Sequence, residues 1–197
     1  DLNSLYNAYL AAKKESDWKP QVQKYEMDFL PRIVESKSDL KNRTYKSKDS
    51  TEFIIRERGK TRPITGLQMS DRVIRHSLCD NVLTPSLLDY MIYDNGASLK
   101  NKGIDFSRER FERHLHMYYR EHGSNDGYIL LMDYSKFYDN IPHKTAYNAV
   151  AKHVKDDFSL WLLRCVFDNF KIDVSYMDDD EYENCMNAPF DSAKYRL

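Results

Sequence analysis

At 197 residues, with 41% hydrophobic and 31% charged positions and a formal net charge of -1, the chain has enough apolar content for one large core or two small ones. No apolar run approaches the ~20 residues that a bilayer crossing requires, and the opening DLNSLYNAYLAAKKESDW has no basic segment followed by an apolar one, so no anchor or signal peptide is expected and a cytoplasmic location follows. The charge is uneven: residues 1–75 carry sixteen Lys and Arg against eleven Asp and Glu, and residues 151–197 six against ten, which makes the N-terminal half the better candidate for phosphate contact.

Residues 1–50 read as a mainly helical segment. Leu2, Leu5, Tyr6, Tyr9 and Leu10 recur at helical spacing, and Val22, Tyr25, Met27, Phe29, Leu30 and Ile33 suggest a second helix that Pro31 kinks or ends. A polar, Lys-rich and Ser-rich connection is expected from Ser36 to Ser50. Residues 51–125 open with a hairpin: Thr51 to Ile55 favours a strand, Glu57-Arg58-Gly59-Lys60 a turn, and Arg62-Pro63-Ile64-Thr65 the return. Ser70 is the expected cap of a helix whose apolar face is Val73, Ile74, Leu78 and Val82, with an interruption at Pro85. A glycine-punctuated loop from Asp94 to Gly103 then leads to a helix over 105–122, with Phe106, Phe111, Leu115, Tyr118 and Tyr119 on one side.

Residues 126–170 carry the most informative stretch, YILLMDYSKFYDNIPH. Ile129, Leu130, Leu131 and Met132 are too few for a helix and suit a strand buried on both faces. That strand ends in Asp133, and a carboxylate there is costly unless a metal ion or a basic partner meets it. A helical stretch follows from Lys144 to Phe170, broken near Asp156 and Asp157. Residues 171–197 are acidic, weakly patterned, and expected to be a loop or tail. Cys79, Cys165 and Cys185 lack the paired spacing of a zinc site and read as free thiols. His114, His116 and His122 have the spacing of a surface, not of a ligand set.

Three features carry chemistry. Lys60 offers a mobile point charge and Arg62 a planar fork for phosphate oxygens. Asp133 offers a hard oxygen for magnesium, which takes one or two carboxylates together with phosphate oxygens. Phe137 and Tyr138 place aromatic rings nearby, where a wall against a nucleotide sugar would disfavour a 2'-hydroxyl. Each has a plainer reading: Lys60 and Arg62 as solubilising charge, Asp133 as a turn cap, and Phe137 and Tyr138 as core.

In order along the chain, FIIRERGKTRPI, DRVIRHSL, NGASLKNKG and ILLMDYSKFYDNIPH resemble the fingers and first palm segment of bacterial reverse transcriptases, the group that includes group II intron, retron and diversity-generating enzymes. The resemblance covers about residues 35 to 170. It implies an α+β fold, a helix-rich fingers subdomain with a basic β-hairpin plus the first part of a polymerase-type palm. It implies further that Asp133 and the Tyr134 carbonyl bind Mg2+, that Phe137 and Tyr138 border the substrate with Tyr138 as sugar gate, and that Lys60 and Arg62 hold the triphosphate of an incoming dNTP. The implied partners are an RNA template and a DNA primer.

The chain departs from that family after Gly127. No glycine follows it, so the family's Gly-rich segment is missing, and Tyr176-Met177-Asp178-Asp179 spells a second catalytic motif only about 43 residues after Asp133, ahead of Asp180-Glu181-Tyr182-Glu183 where a buried hairpin strand should be apolar. Those aspartates are read as an acidic surface loop. The expectation is an N-terminal piece of a longer polymerase, inactive alone, whose uncovered half-core favours a homodimer. The rival expectation is a noncatalytic module that binds structured RNA through its basic half.

Overall fold

A computed structural model describes residues 1–48, 50–134, 137, 141–168 and 177–186. It is a helix-rich α+β structure whose sheet, among the described residues, is a single antiparallel pair. The chain divides into two compact units, Asp1–Leu87 with Tyr138–Leu197, and Leu88–Phe137.

In the first unit, α1 (Leu2–Lys13), α2 (Pro20–Met27) and α3 (Phe29–Asn42) precede β1 (Thr51–Glu57), β2 (Lys60–Gly66) and α4 (Met69–Leu78). The N-terminus of α1 is capped by the Asp1 side chain, which accepts from the Ser4 backbone N–H at 2.7 Å. The break between α2 and α3 falls at Asp28, and Pro31 sits in the first turn of α3, where its missing N–H has no carbonyl to satisfy. The helix then runs six residues beyond Ser36, through part of the expected polar connection, because Leu40 still packs on the core. The helix α4 is central, touching α1, α2, α3 and α8 (Asp157–Asp168). Its Val73, Ile74 and Leu78 meet Leu5 and Tyr9 of α1, Val22 and Tyr25 of α2, Ile33 of α3 and Leu162 and Leu163 of α8 in one core, each such side chain contributing about 1.5–3 kcal/mol.

Ser70 is not the cap of α4. The helix starts two residues earlier than that cap implies, at Met69 after Gln68, and Ser70 is buried inside it. A π-helical turn at Cys79–Leu83 leads into α5 (Thr84–Leu87), so the chain stays helical through Pro85; the wider turn absorbs the hydrogen bond that proline cannot donate. Later in this unit come α7 (His143–Ala151) and α9 (Asp179–Met186). The latter replaces part of the expected acidic loop, its N-terminus capped by Asp178, which accepts from the Glu181 N–H at 2.7 Å.

The second unit holds α6 (Ile104–His122) and the loop before it. One expectation fails here. Residues 129–132 form no strand and are exposed, Leu131 by 89%, because a strand buried on both faces needs paired neighbours and covering helices, which the described part of this unit does not supply. The expected helix over 105–122 is present as α6, and its aromatic side has no buried residue.

Candidate functional site

The hairpin turns on Arg58 and Gly59, both at positive φ (49° and 76°), the geometry of a two-residue turn that matches strand twist. Its register pairs Glu57 with Lys60, Ile55 with Arg62 and Phe53 with Ile64. Alternate residues of a strand share a face, so Lys60 and Arg62 project on the same side, beside Glu57, Ile55 and Phe53. Both are exposed. Among the described residues neither has an acid within ion-pair distance, although Glu57 stands opposite Lys60 in the register, which leaves two open cations on one face.

Asp133 is exposed at the end of the apolar run in the second unit. Tyr134 and Phe137 follow it in sequence, with ring centroids 6.0 Å apart and planes at 42°. Lys60 and Arg62 therefore belong to one compact unit and Asp133, Tyr134 and Phe137 to the other. Tyr138 lies outside the described residues. For magnesium, the exposed carboxylate and neighbouring carbonyl have the right hard-oxygen chemistry. They fall short in number: no group of three or more His, Cys, Asp or Glu able to hold a metal exists among the described residues. Asp133 and Tyr134 thus fit the ion only as part of a shell completed by phosphates or further carboxylates. Asp178, the capping residue of α9, is committed to a backbone N–H.

Two polar clusters escaped sequence reading. Asp71, with 0% exposure, accepts from Tyr45 Oη at 2.9 Å, Lys48 N–H at 2.8 Å and Ser47 Oγ at 3.3 Å. The only signal was an acid set between Met69 and Val73 on an apolar face. In the second unit Asp94 accepts from Arg110 and faces His114 Nε2 at 2.6 Å; the Arg110 bond first and the His114 bond second hold its carboxyl down at about 2. Lys102 lies over Tyr93 and Phe106, 4.6 and 4.4 Å from their ring centroids, and closes this cluster. Neither partner set is local in sequence.

No family model matches the chain, and no curated protein is significantly similar to it. No helix among the described residues is long and apolar enough to cross a membrane.

Proposed function

We propose that this chain is the fingers and first palm segment of an RNA-directed DNA polymerase of the bacterial reverse-transcriptase type. The observation that carries the reading is the presentation of Lys60 and Arg62 on one open face of the hairpin, neither within ion-pair distance of an acid among the described residues, in the order Gly-Lys-Thr-Arg-Pro. An ion-paired lysine or arginine would be solubilising surface; two unpaired cations two residues apart suit a polyphosphate. In this reading they hold the triphosphate of a dNTP, Tyr138 excludes a 2'-hydroxyl, and Phe137 lines the sugar side. Asp133 and the Tyr134 carbonyl would hold Mg2+, which when bound stabilises charge on the attacking and leaving oxygens. The 3'-hydroxyl of a primer annealed to an RNA template would attack the α-phosphate, losing its proton to solvent as the new phosphodiester forms, the α–β phosphoanhydride bond breaks and pyrophosphate leaves.

Because this chain presents one carboxylate of the set, it is expected to bind a dNTP weakly and to extend no primer on an RNA template. Lys60→Gln with Arg62→Gln should weaken dNTP binding about tenfold or more, the scale of two charge-assisted contacts, in a fluorescence titration. Unchanged binding would remove the phosphate role, and robust Asp133-dependent extension would remove the inactive-piece reading. The second reading, a noncatalytic RNA-binding module, is favoured by the excess of positive charge in residues 1–75. It expects RNA affinity that falls steeply with salt and no dNTP binding that depends on Lys60.

A further inference from the structure

The hairpin is open along most of its length. Every residue of β1 is exposed, as is β2 from Lys60 to Pro63, so no packing steers the strands beyond their base. A free two-stranded hairpin is marginally stable, and its direction depends on how that base is tied. On the returning side, Gly66 passes through Leu67 and Gln68 into α4, and Gln21 Nε2 donates to the Leu67 carbonyl at 3.2 Å.

On the leading side the tie is Asp71. A carboxylate removed from water is costly unless its lone pairs are used, and the three donors that use them all come from residues 45–48, just ahead of β1: Tyr45 Oη, Ser47 Oγ and the Lys48 N–H. One turn further along α4, Arg75 Nη2 donates to the same Ser47 Oγ at 3.1 Å. The central helix of the core thus grips the leading segment at two levels. Arg72, between them, donates Nη2 to the Ala12 carbonyl at 2.9 Å and so locks α4 to the last turn of α1.

We propose that Asp71 is a positioning residue for the phosphate-holding hairpin: by fixing residues 45–48 to α4 it sets the direction in which Lys60 and Arg62 face a bound polyphosphate. This rests on the reading of those two residues as triphosphate ligands. The leverage is large. At ~3.3 Å per strand residue, Lys60 stands roughly 20 Å from the base at Gly66, so a swing of about 5° there moves its backbone by roughly 2 Å, and misplacements of ~1 Å cost binding groups much of their effect.

The test titrates inorganic triphosphate into the full chain by calorimetry and follows amide hydrogen exchange over residues 45–66. Asp71→Ala should weaken binding about tenfold and speed exchange at the Lys48 amide. Asp71→Asn should recover most of both, because its amide oxygen still accepts from the Lys48 N–H and Tyr45 Oη can turn to accept from the amide N–H. Val73→Ala, which leaves a cavity in the same helix, should lower the melting temperature without changing the affinity. Wild-type affinity in Asp71→Ala, alongside weak binding by Lys60→Gln, overturns the proposal, as does an equal loss in Val73→Ala. Should Lys60→Gln and Arg62→Gln both leave affinity unchanged, the phosphate reading falls separately; the tether then stands if Lys48 exchange is faster in Asp71→Ala and falls if it is not. If Asp71→Ala does not fold, the double variant Tyr45→Phe, Ser47→Ala removes two of the donors and carries the same expectations.

Discussion

Tyr25 and Tyr45 are both buried, at 3% and 6% exposure, but their hydroxyls are treated differently. Tyr45 donates to Asp71, whereas the Tyr25 hydroxyl has no hydrogen-bond partner among the described residues. An unmade buried bond costs about 1–3 kcal/mol, so Tyr25→Phe should stabilise the protein by ~1 kcal/mol in urea unfolding and Tyr45→Phe should destabilise it by about 1–3 kcal/mol. Burial is also the first cause that pushes both phenols up to about 12 from the usual 10.0. A folded-state value above the unfolded one means that the associated stability is intact below pH 10 and is lost as pH rises through 12. Ultraviolet phenolate absorbance and circular dichroism should therefore change together in that window, and Tyr25→Phe should remove part of the late phenolate step; a late step of undiminished size would contradict the assignment.

Among the elements, those whose partners lie within one or two turns were legible from residue spacing alone. The periodicity of α1 and α4 located helices that reach the core through Leu5 and Tyr9, Val73 and Leu78, while Leu2, Tyr6 and Leu10 of the α1 pattern are exposed. The hairpin was legible because its turn residues and the two-residue period act locally, and that period sets Lys60 and Arg62 on one face. What failed depended on distant chain. The strand expected at residues 129–132 needed partners that an apolar run does not name, and the described residues of this unit supply none. The Asp94 clamp joins residues 16 and 20 apart and has no sequence signature. It does have a pH signature. Held at about 2 against the usual 3.8, Asp94 contributes stability that is present above pH 3.8 and lost as pH falls through 2. Backbone nuclear magnetic resonance of residues 91–103 should show the loop releasing from α6 in that interval, and Asp94→Asn should release it at neutral pH. A loop that stays docked in Asp94→Asn would show that the rings of Tyr93 and Phe106 hold it without the carboxylate.

At the scale of the molecule, the same apolar run that suggested a palm strand sets the solution behaviour. Tyr128, Ile129, Leu130, Leu131 and Met132 are consecutive and all at least 61% exposed, and five side chains of that size present on the order of the ~800 Å2 that each partner buries in a standard interface. Monomeric proteins rarely leave such a patch uncovered, and the run is β-favouring and uncharged before Asp133, the composition that pairs edge to edge. Self-association through this segment is therefore expected. Light scattering across a concentration series should give a mass that rises above the monomer, and Leu131→Lys, which sets a charge in the middle of the run where a paired copy would have to bury it, should return the mass to the monomer while leaving the circular dichroism of the first unit unchanged. A strict monomer at high concentration would mean that the run is not an interface, and an association unaffected by Leu131→Lys would move the interface to another exposed surface, such as the Phe53 and Ile55 face of the hairpin. That second outcome would also bear on function, because a copy seated on the hairpin would cover the face that presents Lys60 and Arg62, and triphosphate binding should then weaken as protein concentration rises.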